Sequence, residues 1–180
     1  MNVVLIGYRC SGKTLAGKII AGKLGREFMD TDRLIEHYAG CSIVNIVSRA
    51  GWEHFREIEK RVIEEVSQKD DLVIATGGGV VLAQKNVRSL KRNGWVVWLN
   101  GKVEVLKQRM LEEQRAGRVR PALKGVDPID EVEQVLAERS PLYKQASDFM
   151  VDTSALSPEK VALLIMDAIP VEMKGKGCAG

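Results

Sequence analysis

Asn2-Val3-Val4-Leu5-Ile6-Gly7-Tyr8-Arg9-Cys10-Ser11-Gly12-Lys13-Thr14, leading into a helix-like stretch over 14–24, decides how this chain is read. Residues 3–6 form a short apolar run rich in β-branched side chains. Residues 7–14 match the pattern G-x-x-x-x-G-K-S/T and lie in register between that strand and the helix. The residue types follow from the chemistry of a phosphate cradle. Glycines let the backbone turn so that successive N–H groups point inward, and the helix N-terminus adds partial positive charge. Lys13 is then expected to reach the β- and γ-phosphates, and the Thr14 hydroxyl to ligate Mg²⁺. Gly7, Arg9, Cys10, Ser11, Gly12, Lys13 and Thr14 are the expected nucleotide-binding residues.

Outward from the loop, short β-branched runs at 3–6, 72–75, 95–99 and, more weakly, 149–151 alternate with helix-like spacing at 14–24, 53–66, 103–111 and 158–169. That alternation predicts an α/β fold, a parallel sheet with helices on both faces. The near-continuous apolar character of the runs suits strands buried on both sides. A short run at 27–29 completes a five-stranded sheet. No linker or internal repeat divides the chain, so 1–169 is expected to be one domain and 170–180 a frayed tail. Residues 115–127 hold four basic residues, two glycines and a proline with little apolar periodicity, and read as a mobile surface loop.

At 180 residues, 45% hydrophobic and 28% charged, the chain is long enough to bury a core of its own. A net charge of +3 with no basic run interleaved with aromatics argues against a nucleic-acid partner. Cys10, Cys41 and Cys178 are odd in number and show no zinc or redox spacing. Neither a signal peptide nor an apolar stretch of membrane-spanning length is apparent, so an intracellular, cytoplasmic protein with no membrane partner is expected. A phosphate loop of this kind also serves GTPases and motor ATPases. The absence of an N-K-x-D motif and of a second nucleotide-binding half disfavours both.

The acceptor side rests on four further patterns. Phe28-Met29-Asp30-Thr31-Asp32 sets two carboxylates two residues apart after the second strand, so that in an extended segment both point one way. One would then hold the water shell of Mg²⁺ and the other accept a proton or hydrogen bond from a substrate hydroxyl. Asp32 as a helix N-cap is the competing reading, and the spacing alone leaves both open. Arg56 and Glu59 share a helix face, which suggests a surface ion pair. Arg139, in Arg139-Ser140-Pro141-Leu142-Tyr143, reads equally as an exposed residue. If the two arginines converged on a carboxylate, they would make charge-assisted contacts. Gly77, Gly78 and Gly79, at the carboxyl end of the 72–75 strand, permit close approach of backbone to ligand. Arg120, in the basic loop, is placed to swing over the phosphates. His37, His54 and the three tryptophans read as structural.

Taken in order, these elements resemble the shikimate kinase family over roughly the first 155 residues. The likeness rests on the phosphate loop, the Asp30–Asp32 pair, Arg56 with Glu59, the glycine triplet, and the Arg120-Pro121 and Arg139 motifs. It implies a P-loop NTPase three-layer sandwich of nucleoside-monophosphate-kinase type with strand order 2-3-1-4-5. It further implies transfer of the γ-phosphoryl group of ATP, with Mg²⁺, to the 3-hydroxyl of shikimate on the route to chorismate. By position, Asp32 would bind substrate hydroxyls, and Arg56 and Arg139 the carboxylate, assisted by Gly79. Asp30 would serve Mg²⁺, and Arg120 would be a lid arginine. Lys13, Asp32 and Arg120 are thus the expected catalytic groups. The substrate-binding part would span about 32–66 and the lid about 112–127, in a protein expected to be a monomer.

Cys10 departs from the glycine that many members carry, and the usual arginine of the adenine loop is not evident near 152–154. A kinase for gluconate or a nucleotide, and a regulatory protein that keeps the cradle without turnover, are the rival readings.

Overall fold

The computed structural model of the chain describes residues 1–117, 121–123, 125 and 127–173. Five strands, β1 (Asn2–Ile6), β2 (Glu27–Asp30), β3 (Leu72–Ala75), β4 (Gly94–Asn100) and β5 (Phe149–Asp152), alternate with helices. These are α1 (Lys13–Leu24), α2 (Thr31–Ala39), α3 (Ile43–Ser67), α4 (Gln84–Arg92), α5 (Val103–Arg115), α6 (Val132–Ala146) and α7 (Pro158–Ala168). Every strand pairing is parallel and the order is β2-β3-β1-β4-β5, as the resemblance implied. Each parallel neighbour needs a crossover, which the intervening helices supply.

β1 lies at the centre, and all five of its residues are buried. Its side chains divide by the two-residue period of a strand. Val4 and Ile6 enter one core with Ile35, Phe55, Ile63 and Leu90, while Val3 and Leu5 enter the other with Ile20, Ala162 and Ile165. Helices α2, α3, α4 and α6 thus cover one face and α1 and α7 the opposite one, giving three layers. A smaller cluster joins Tyr8 of the phosphate loop to Leu106 and Met110 of α5 and to Val132, Val135 and Leu136 of α6. Among the described residues, no helix is long and apolar enough to cross a membrane.

Two helices go beyond the sequence reading. α4 is short and strongly polar on one side, and α6 contains Pro141, whose missing N–H argues against a helix interior. α3 is also longer than the 53–66 segment. It is broken at Gly51, where φ 77 and ψ 173 interrupt the helical path. Along its second part Phe55, Glu59, Val62, Ile63 and Val66 are buried, a helical stripe with one carboxylate on it. Within the stretch read as a tail, Val171–Met173 form a single turn of 3-10 helix, and Met173 is buried.

Since all strands run one way, all their carboxyl ends meet one edge of the sheet. Gly7, Thr31, Thr76, Gly101 and Thr153 are the residues that follow them. A ligand site at that edge, beside the central strand, is what the topology dictates.

Candidate active site

The phosphate loop turns sharply out of β1. Gly7 adopts φ 141, and a Cβ there would lie 2.3 Å from Leu99 O, so no side chain fits. Gly12, at φ 93, is the N-cap of α1 and supplies no side-chain cap. The N-cap residue therefore covers none of the first N–H groups of α1 with a side chain, the arrangement suited to an anion. Lys13 is buried and folds back over the loop. Its Nζ donates to Gly7 O at 2.8 Å, Tyr8 O at 2.7 Å and Ser11 Oγ at 3.4 Å. Cys10 is the non-glycine residue of the loop at positive φ, 62, a conformation glycine adopts at no steric cost.

The two aspartates do not sit on one face of a strand. β2 ends at Asp30 and α2 begins at Thr31, so the N-cap is Asp30 and not Asp32. Asp30 Oδ1 accepts from Asp32 N–H at 3.1 Å, and Asp30 Oδ2 accepts from the Thr14 hydroxyl at 2.9 Å. Capping thus fixes Asp30 beside the loop. Asp32, in the first turn of α2, is turned towards Gly77 instead. Thr31 between them is buried, and its hydroxyl accepts from Gly77 N–H at 3.1 Å.

Each member of the glycine triplet makes room for a different neighbour. A Cβ on Gly77 would stand 2.6 Å from Asp32 Oδ1, one on Gly78 3.3 Å from Arg9 N, and one on Gly79 2.2 Å from Arg56 Nη2. A side chain at Gly77 or Gly79 would displace Asp32 or Arg56, and one at Gly78 would press on the phosphate-loop backbone. Their missing side chains let an aspartate, the phosphate loop and an arginine close on one strand end.

Arg56 and Arg139 both reach this point. Arg56 Nη1 donates to Glu59 Oε2 at 2.7 Å, and the guanidinium lies 5.0 Å from the Phe55 ring centroid and 5.5 Å from that of Trp52. The pair is not on the surface, because Glu59 is only 1% exposed. Burial pushes the Glu59 carboxyl above its ordinary value, against the opposing pull of Arg56. Arg139 is also buried, at 7% exposed, and donates to Gly78 O at 3.1 Å. The Tyr143 hydroxyl donates to the same carbonyl. Burial raises the Tyr143 hydroxyl to about 12, so it remains a donor at neutral pH, and its ring stacks on Trp98 of β4.

One cleft of about 1070 Å³ takes in the phosphate loop, Asp30, Asp32, Arg56, the triplet and Arg139. Small-molecule pockets fill about 300–1,000 Å³, so this cleft is at the large end of that range. At its far end Arg109 of α5 donates to Cys10 O at 3.4 Å, Thr153 Oγ1 at 3.2 Å and Thr153 O at 2.7 Å. The profile of the shikimate kinase family matches residues 9–170.

The chain belongs to the shikimate kinase family.

It is 41% identical over 161 residues to shikimate kinase from Thermodesulfovibrio yellowstonii, covering 89% of this chain and 90% of that one. It is likewise 41% identical over 169 residues to shikimate kinase from Symbiobacterium thermophilum, with 94% and 96% covered. A shikimate kinase from Acinetobacter baumannii, solved in complex with shikimate, superposes with a TM-score of 0.84 at 32% identity over 94% of this chain and 95% of that one.

ATP with Mg²⁺ drives the reaction of this shikimate kinase family. The Thr14 hydroxyl and the Asp30 carboxylate, in contact beside the loop, are oxygen donors that fit a hard cation. Among the described residues no group of three or more His, Cys, Asp or Glu could hold a metal by itself. Such a sparse protein set suits Mg²⁺, which keeps waters and phosphate oxygens as most of its ligands.

Arg120 lies outside the described residues, and Arg9 has an additional attachment. Its Nη1 donates to Pro121 O at 3.2 Å and lies 3.8 Å from Glu131 Oε1. The sequence reading missed Arg109, Tyr143 and Trp52. Arg109 carries no local signal, because its partners Cys10 and Thr153 are far away in the chain. Tyr143 was part of the Arg139 motif and could have been singled out as the residue one helical turn beyond it.

Proposed function

We propose that the cleft phosphorylates the 3-hydroxyl of shikimate, giving shikimate 3-phosphate and ADP, with the residue roles that follow. The observation that carries the assignment is the meeting of Asp32, Arg56 and Arg139 around Gly77, Gly78 and Gly79 at the mouth of the phosphate loop.

Arg56 and Arg139 hold the acceptor carboxylate. Both are partly desolvated, where a guanidinium–carboxylate contact is stronger and directional. Glu59 and the Phe55 and Trp52 rings fix the Arg56 guanidinium, and Tyr143 shares the Gly78 carbonyl with Arg139. Asp32 accepts the hydrogen of the attacking hydroxyl and orients its oxygen towards the loop. Lys13 and the N-terminus of α1 offset phosphate charge. Mg²⁺, held through Thr14 and the shell of Asp30, supplies further charge compensation when bound. Phosphoryl transfer depends mainly on such placement and electrostatics. Arg109 and the 153–158 segment border the opposite end of the cleft, where the nucleotide base fits.

The reading extends to organisation. Residues 1–169 act as one kinase domain, with about 32–66 serving the acceptor, about 112–127 serving as lid with Arg120, and 170–180 outside the catalytic unit. The protein works as a cytoplasmic monomer on a small molecule, without nucleic acid or membrane.

Arg139→Ala tests the carboxylate assignment. It should raise the KM for shikimate by at least about tenfold, the worth of one charge-assisted contact, and leave the KM for ATP unchanged. An unchanged shikimate KM would place the carboxylate elsewhere.

A further inference from the structure

Three consecutive residues between α5 and α6 are each tied through the backbone to a different part of the molecule. Arg9 of the phosphate loop donates to Pro121 O at 3.2 Å. Trp52 Nε1 of α3 donates to Ala122 O at 3.3 Å. The Leu123 N–H donates to Glu131 Oε2 at 2.7 Å, immediately before α6.

The anchors continue into the two halves of the cleft. The Arg9 and Glu131 side chains, 10% and 0% exposed, lie 3.8 Å apart, and Arg9 belongs to the phosphate loop itself. The Trp52 ring carries the guanidinium of Arg56, the group assigned to the acceptor carboxylate. Pro121 and Leu123 line the cleft. Surface loops ordinarily leave backbone groups to water. Here a guanidinium, an indole N–H and a buried carboxylate are spent on three successive residues, which fixes the main-chain path and not merely a side chain.

We propose that residues 121–123 form a clasp joining the nucleotide side of the cleft to the acceptor side, and that Arg9, Trp52 and Glu131 are positioning residues for phosphoryl transfer. Arg9 then acts through the clasp in addition to its place in the loop. The signature is a crossed effect: a change in a clasp anchor on one side of the cleft alters binding on the other. The proposal rests on the shikimate kinase reading only for the identity of the acceptor.

Calorimetric titration of MgADP and of shikimate, separately, into the wild-type chain, Trp52→Phe, Arg9→Lys and the double variant tests it, with melting curves alongside. Trp52→Phe keeps an aromatic ring beside Arg56 and removes the indole donor. It sits on the acceptor side, yet should weaken MgADP binding about 2- to 10-fold, the worth of one net hydrogen bond. Arg9→Lys should weaken shikimate binding by a similar factor, and the double variant should lose less than the product of the two effects. Glu131→Gln, which keeps an acceptor for Leu123 N–H, should bind both ligands better than Glu131→Ala. Wild-type affinity for MgADP in Trp52→Phe and for shikimate in Arg9→Lys would overturn the clasp. A wild-type chain that binds MgADP but not shikimate would contradict the acceptor assignment instead, and the MgADP affinity of Trp52→Phe would still decide the clasp.

Discussion

Asp32 and Asp30 lie two positions apart in the chain and face different neighbours. Asp30 is committed to capping α2 and to the Thr14 hydroxyl, whereas Asp32 is turned to Gly77, where its proposed role is to meet the acceptor hydroxyl. Asp32→Asn should therefore cut kcat by at least about a hundredfold, the range of a lost acid–base group, while MgADP affinity stays within about twofold of wild type. Titration calorimetry with steady-state rates checks both, and a normal kcat would remove Asp32 from the chemistry. Glu59 makes a prediction in pH. Burial raises its carboxyl in the folded chain above the ordinary value of 4.5, so the folded state holds the proton more tightly than the unfolded one. Its contribution to stability is complete below 4.5 and is lost as pH rises through the raised value. Glu59→Gln cannot titrate. The melting temperature of Glu59→Gln minus that of wild type should rise with pH from 4.5 upwards, and a flat difference would show that Glu59 titrates normally.

At the scale of elements, the phosphate loop was legible because strand, loop and helix are contiguous in sequence and each follows a local rule. The glycine triplet was legible as a close approach but not as to what approaches. Asp32, Arg9 and Arg56 come from other elements, and only the folded chain brings them there. The Asp30–Asp32 geometry was misread for the same reason. A helix cap and a continued strand are both consistent with Asp-Thr-Asp, and pairing of β2 ends the strand at Asp30. Helix α6 was hidden by Pro141, and with it the burial of Arg139. Gly51 offers an element-scale test. Its φ 77 and ψ 173 lie where essentially only glycine is at ease, and it immediately precedes Trp52, with Arg56 one helical turn beyond that. Gly51→Ala should cost about 1–3 kcal/mol. A fall of several degrees in melting temperature and a raised shikimate KM would express it. An unchanged melting curve would show that the break in α3 carries no strain.

For the whole molecule, the parallel sheet was readable from the alternation of apolar runs with amphipathic segments, and the strand order came through the family resemblance. What sequence could not show is how the order β2-β3-β1-β4-β5 sets three strand ends side by side. β2 brings the aspartates, β3 the glycines and β1 the phosphate loop to one edge, and α3 and α6 lean arginines over it. The result is a single cleft lined both by the phosphate loop and by Asp32, Arg56, the glycine triplet and Arg139. Direct transfer from one ligand to the other, as proposed above, needs both ligands in one cleft, and the phosphate loop, Asp32, Arg56 and Arg139 all line it.

This cleft transfers the γ-phosphoryl group of ATP to shikimate. ADP release with MgATP, measured in parallel with shikimate, quinate, gluconate and AMP, is the decisive test. Turnover with shikimate that exceeds each of the others by at least about a hundredfold is the predicted result. Turnover that favours another acceptor, or none above the ATP-only background with any of the four, would contradict it.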